Sequence, residues 1–171
     1  MGTRRSWETL DVVSVFKHGA IGGLIAGAVF AVAEVVAAVW QGLPPSAPVQ
    51  MIAAVVLGAR ALTEVEVTFA TVGLALGLHA FLSVVYGVML ALVSMATLAA
   101  GTSVRGLTLA GMGFGFVLWL VNFFLIAPLT FPWLTPTDRA VQFVAHVFFY
   151  GAPLGFYLGK VLAHSIELEG T

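Results

Sequence analysis

The sequence predicts an all-α integral membrane protein in which four transmembrane helices form a bundle, with one short re-entrant or interfacial helix beside them. Hydrophobic residues make up 60% of the 171 residues and charged residues 9%, whereas soluble domains are about half apolar and a quarter charged. The mean hydropathy is +1.05. Four stretches reach the length of about 20 apolar residues that a membrane helix needs. We therefore expect a single membrane domain over residues 1–171.

The predicted spans differ in their number of charged residues. They cover residues 19–40, 71–95, 106–128 and 140–159. The first contains one charged residue, Glu34, whereas the second and third contain no Asp, Glu, Lys or Arg. The fourth has Thr137 or Asp138 as its expected N-cap, and Pro153 is expected to kink it.

A shorter apolar segment, about residues 46–60, lies between the first two spans. Its run from Val49 to Leu57 is too short to cross the membrane and suits a re-entrant or surface helix. Ser46 would start this helix, Pro48 fits its first turn, and Gly58 would end it. We expect it to cover the outer face of the bundle.

The positive charges beside the spans predict the orientation, because cytoplasmic loops retain Lys and Arg. Two of them, Arg60 and Arg139, lie on one side of the membrane. The other side carries Arg4, Arg5, Lys17, Arg105 and Lys160. Both termini are therefore expected to be cytoplasmic in a multi-pass protein of the inner membrane, with Trp40 and Trp133 at the outer surface.

Several functional classes are excluded by composition. A formal net charge of -1 gives no basic surface for nucleic acid. The absence of cysteine from the sequence excludes disulfides, iron-sulfur clusters and thiolate zinc sites. No hydrolase, metalloprotease or nucleotide-binding motif occurs, so no catalytic residue is predicted.

The two halves of the chain resemble each other. When the first span is laid on the third, Glu34 falls opposite Asn122, and two pairs of glycines come into register, Gly23 with Gly111 and Gly27 with Gly115. When the second span is laid on the fourth, His79 falls opposite His146. A Tyr-Gly pair follows each histidine, with a register slip of three residues. This pattern predicts two helical hairpins of the same orientation.

Four polar residues are expected at one depth. Glu34 and Asn122 each lie six residues before the outer end of their span, which is roughly 9 Å at about 1.5 Å per residue. His79 and His146 lie at a similar depth in the two spans that return from that end. The predicted intramembrane site near the outer face therefore consists of Glu34, His79, Asn122 and His146. Its predicted neighbours are Gln142, which shares a face with His146, and Ser83 and Tyr150, which would orient the imidazoles.

The chemistry of these four groups leaves several hypotheses open. A carboxylate in hydrocarbon is costly unless it is neutralised, paired or bound to a cation. Two imidazoles, a carboxylate and an amide oxygen suit a divalent transition metal such as zinc, iron, manganese or copper. The same groups could instead bind protons.

Two further hypotheses assign other roles to this polar layer of four residues. His79 and His146 could be the axial ligands of a b-type haem, although Glu34 and Asn122 would then project into the volume of the porphyrin. Alternatively, the chain has no cofactor and is an accessory or scaffold subunit whose polar layer satisfies itself. The expected partners are the lipid bilayer and either a second copy of the chain or a membrane complex.

The chain resembles the YagU-like family of uncharacterised bacterial four-span inner-membrane proteins. The residues that carry the resemblance are the glycine-rich first span with Glu34, the turn Trp40-x-Gly42-Leu43-Pro44-Pro45, the run with His79, Ser83 and Tyr86-Gly87, and then Asn122 and His146. The resemblance implies a bacterial inner membrane, a link to acid tolerance and no established catalytic residues.

Overall fold

A computed structural model describes residues 12–63, 67–97, 103–134 and 137–168 of the chain. These residues form helices and connecting turns, without a strand in any of the four stretches. The five helices are α1 (Val12–Trp40), α2 (Ala47–Leu57), α3 (Phe69–Thr97), α4 (Val104–Thr130) and α5 (139–168). All except α2 are long and apolar enough to cross a membrane. The predicted fold class, an all-α membrane bundle, is confirmed.

The four long helices extend beyond the predicted spans. The largest difference is at the start of α1, which begins at Val12 instead of residue 19 and includes Lys17 and His18. Long polar side chains near a helix end can reach the membrane surface, so they do not end the helix. Arg4 and Arg5, which contribute to the predicted orientation, lie outside the described residues.

The helix starts follow local hydrogen bonding. Asp138, not Thr137, is the N-cap of α5, because its Oδ1 accepts from the backbone N–H groups of Ala140 and Val141 at 2.8 and 3.2 Å. Thr137 instead donates its hydroxyl to the carbonyl of Leu134. At α2, the expected start at Ser46 and end at Gly58 are observed.

Two helices contain a π-helical stretch. In α4 this stretch is Val121–Ile126, and in α5 it is Ala145–Gly151. Pro153 follows the second stretch by two residues, and the kink expected at this proline stays a prediction. Both α1 and α3 are regular α-helices throughout.

The helices pack as two pairs, α1 with α3 and α4 with α5. Glycines allow the close approach within each pair. A Cβ atom on Gly23 would meet the carbonyl of Ser83 on α3. In the other pair, a Cβ atom on Gly111 would meet the carbonyl of Gly151 and would lie 2.8 Å from the Cα of Gly155. Small residues thus bring both pairs into backbone contact.

The two pairs contact each other mainly through one helix of each pair. α1 packs against α5 along much of the bundle, whereas α3 barely touches α4. α2 packs on α3 and on α1, at the end where α1 and α4 finish. The outward surfaces are apolar, with Val36 and Phe81 each 63% exposed. Such surfaces on four long helices are those of a multi-pass membrane protein.

Candidate functional site

A cavity of about 440 Å³ lies where α3 and α4 diverge. α1 and α5 contribute Phe30, His146 and Tyr150 to its wall. Ile52 of α2 and Phe131, which follows α4, also line it. The polar residues on its wall are His79, Ser83, Tyr86, Asn122, His146 and Tyr150. The cavity is therefore covered from the side of the bundle where α1 and α4 end.

Three of the four residues of the predicted polar layer line this cavity, namely His79, Asn122 and His146. Glu34 does not line it but is linked to it. Its Oε2 accepts a hydrogen bond of 2.8 Å from Nε2 of Gln142, one turn before His146. Its Oε1 is buried and has no hydrogen-bond partner among the described residues. The structure thus places the carboxylate behind the cavity wall.

Phe30 is a residue of the site that sequence reasoning missed. Its ring stacks on His79 with a centroid distance of 5.9 Å and meets His146 edge-on at 4.9 Å. An apolar ring therefore lies against both imidazoles. Its spacing from Glu34 could have indicated it, because Phe30 lies four residues before Glu34 and so shares its helix face. In a sequence this apolar, one more phenylalanine does not stand out.

Backbone carbonyls orient the two imidazoles. A carbonyl oxygen only accepts, so Nε2 of His79 donates to Gly27 at 2.9 Å, and Nδ1 of His146 donates to Gln142 at 2.8 Å. The sequence prediction gave this role to Ser83 and Tyr150. In the structure the Tyr150 hydroxyl instead donates to the carbonyl of Ser83 at 2.8 Å, which ties α5 to α3.

The polar residues of the second half lie in the π-helical stretches. Asn122 is in the stretch of α4 and His146 in that of α5. π-helical turns are rare and often occur at functional sites, because the widened turn redirects side chains. Asn122 of α4 and Tyr86 of α3 line the same cavity. Neither π-helical stretch was predicted from the sequence.

The four residues do not form a metal cluster as they stand. No three His, Asp or Glu side chains of the described stretches come close enough to hold an ion. Each imidazole nevertheless keeps one ring nitrogen that bonds to none of the described groups, Nδ1 of His79 and Nε2 of His146. The metal ion, the protons and the haem remain predictions.

Comparisons of the chain with protein families, curated proteins and solved structures found no significant match. The resemblance to the YagU-like family therefore stays a prediction. The fold and the cavity rest on the physical arguments above.

Proposed function

We propose that this protein is a non-catalytic binding protein of the inner membrane, and that its cavity holds a small, mostly apolar molecule. The observation that carries the proposal is the 440 Å³ cavity between α3 and α4. Binding sites for small molecules typically have volumes of about 300–1,000 Å³. With both termini in the cytoplasm, the cavity would lie near the outer surface, beneath α2.

The wall of the cavity has the composition of a ligand site. Most lining side chains are apolar, among them Leu78, Phe123 and Ile126. A few polar groups, including His79 and Asn122, interrupt this surface. Sites of this kind bind through the apolar wall and orient the ligand through a small number of polar contacts.

The packing of the bundle supports a gap that persists. Within each pair, glycines bring the backbones into contact, so neither α3 nor α4 is free to move into the gap without leaving its partner. Phe30 and Tyr150 fill the side of the gap nearest α1 and α5. Between α3 and α4 no glycine contact is seen in the described residues, and the space is left for a ligand.

The proposal is tested by binding of tritiated 1-naphthol to the protein in lipid nanodiscs, measured by scintillation proximity with empty nanodiscs as the blank. Naphthol has a flat apolar body and suits a cavity lined by aromatic rings. Ala127 lines the cavity and is 5% exposed, so Ala127→Leu fills part of the space. Ala96 lies exposed on α3, so Ala96→Leu is the matched control.

We expect saturable binding to the wild type and to Ala96→Leu, and affinity at least about tenfold lower for Ala127→Leu, because a filled cavity excludes the ring. Binding that is equal in all three proteins, or that never saturates above the blank, would refute the ligand site. The accessory or scaffold hypothesis would then remain, in which the polar residues stabilise helix packing.

A bound metal ion is a second candidate, favoured by one observation. His79 and His146 line one cavity and each has an unbonded ring nitrogen, which is the group that ligates a metal. Asn122 adds an amide oxygen to the same wall. The ring of Phe30 lies against both imidazoles and would border such an ion.

Elemental analysis and an absorption spectrum of protein purified without chelator test this candidate. About one metal per chain, lost in both His79→Ala and His146→Ala, would support it. A Soret band lost in the same variants would support haem instead. Folded protein with neither would exclude both and leave proton binding, for which Glu34 is the group to titrate.

A further inference from the structure

We infer that the ligand of this cavity carries a hydroxyl or N–H donor on an aromatic body, as a phenol does. This inference rests on the proposed function, because it assigns the chemical class of the molecule that the cavity binds. It depends on which ring nitrogens of His79 and His146 are already engaged, and on the aromatic rings around them.

The hydrogen bond of His79 fixes its ring. In its uncharged form an imidazole has one N–H donor and one acceptor nitrogen. Nε2 donates to the carbonyl of Gly27, so Nδ1 is the acceptor. A Cβ on Gly27 would meet the side chain of Ser83, whereas it would lie 3.4 Å from Nε2 of His79, an ordinary contact distance. The backbone of α1 thus selects the tautomer of a residue on α3.

His146 is fixed in the opposite tautomer. Its Nδ1 donates to the carbonyl of Gln142 in its own helix, at the start of the π-helical stretch, so Nε2 is the acceptor. The buried side-chain polar atoms left without a partner among the described residues are Glu34 Oε1, Ser94 Oγ and Trp133 Nε1. Neither acceptor nitrogen belongs to that set, so both keep access to open space.

One nearby donor, the Tyr150 hydroxyl, is already engaged. Its proton is held by the carbonyl of Ser83 at 2.8 Å. Neither acceptor nitrogen of the two histidines receives a hydrogen bond from the described residues. A ligand that brings a donor satisfies one of them, and its oxygen remains able to accept from the Asn122 amide.

The shape of the site favours an aromatic body. Five aromatic rings line the cavity, those of Phe30, Tyr86, Phe123, Phe131 and Tyr150. Rings pack edge-to-face or offset, as Phe30 already does on His146. A lipid acyl chain would fill the same space but would leave both imidazole acceptors without a proton.

The test compares 1-naphthol with 1-methoxynaphthalene, which has the same ring system but no donor. Both are tritiated and measured in nanodiscs with empty nanodiscs as the blank. We expect the wild type to bind the naphthol at least about fivefold more tightly than the ether after correction for partition into the lipid. One hydrogen bond in a largely buried site is worth about that factor.

The matched variants are the double substitution His79→Phe with His146→Phe, which keeps two flat rings but removes both acceptors, and His18→Phe. His18 pairs with the Tyr157 hydroxyl at 3.2 Å and does not line the cavity. The preference for naphthol should disappear in the double variant and persist in His18→Phe. If the double variant does not fold, His79→Phe and His146→Phe are measured singly, and a preference for naphthol that is unchanged in both would overturn the inference.

Three outcomes are distinguishable. A wild-type preference for naphthol that depends on the two histidines supports the inference. Equal affinity for both probes, with binding still lost in Ala127→Leu, overturns the donor requirement but retains the cavity as a ligand site. Saturable binding of neither probe refutes the proposed function itself.

Discussion

Two helix pairs, α1 with α3 and α4 with α5, both pack through glycines but differ in helix geometry. In both, glycines bring one backbone against a carbonyl of the other, at Gly23 in the first pair and at Gly111 in the second. Yet the first pair is regular α-helix, whereas both helices of the second contain a π-helical stretch. The two halves therefore share the glycine contacts, which we call the glycine seams, but not the helix geometry that positions their polar side chains.

The comparison separates the packing role of the glycines from the role of the polar side chains. The glycine seams are alike because close packing makes the same demand on both pairs. The polar side chains differ, since His79 bonds across to α1 while His146 bonds within its own helix. The departure from the repeat lies at the cavity, where a widened turn brings Asn122 and His146 to the wall.

The first prediction tests whether the two seams are equally tight. Gly111→Ala and Gly87→Ala should each lower the free energy of unfolding by about 2–3 kcal/mol, because the new methyl group meets backbone atoms that cannot move aside. The measurement is steric trapping in bicelles.

Each variant has a control on its own helix. No described atom lies within 4 Å of a Cβ built on Gly113 of α4 or Gly77 of α3, so alanine there should not destabilise. If Gly113→Ala cost as much as Gly111→Ala, the loss would come from the helix and not from the seam.

The second prediction concerns the link between the halves at Glu34. Gln142→Leu should cost about 2 kcal/mol of unfolding free energy, because it removes the hydrogen bond that holds Oε2 and leaves the carboxyl group without that partner. Glu34→Gln should cost less, since its carbonyl oxygen still accepts from Gln142. The same steric-trapping measurement compares them.

A double-mutant cycle sharpens this result. The combination of Glu34→Leu with Gln142→Leu should be more stable than Gln142→Leu alone, because it leaves no polar group unsatisfied. Strictly additive losses would show that the two side chains do not interact.

The smallest expected effect distinguishes the helix starts. Asp138→Ala should lower the unfolding free energy by about 1 kcal/mol, because two backbone N–H groups of α5 lose their acceptor. Ser46→Ala should have no such effect, since the Ser46 side chain makes no capping bond to the described part of α2. Equal effects at both sites would contradict this assignment.

The sequence was sufficient for the features that depend on apolar length and on glycine spacing. Four helices of spanning length follow from hydropathy. The equivalence of Gly23 and Gly111 follows from the internal repeat, and the structure gives both the same backbone contact. His79, Asn122 and His146, which were predicted at one depth by counting residues from the span ends, line the same cavity.

The sequence was insufficient where function depends on side-chain direction. Counting positions cannot show that a π-helical turn rotates His146, or that the carbonyls of Gly27 and Gln142 hold the imidazoles. It also cannot distinguish Phe30 from its many apolar neighbours. The cavity itself arises because α3 does not pack against α4, and hydropathy carries no information about that gap.

The most direct test of the central claim, that the imidazoles of the cavity meet a bound ligand, is ¹⁵N NMR of the histidine rings in nanodiscs. Without ligand, His79 should show the Nε2–H tautomer and His146 the Nδ1–H tautomer. Added 1-naphthol should shift Nδ1 of His79 or Nε2 of His146 saturably and leave His18 unchanged. Ring resonances that do not move at saturating naphthol would contradict the claim.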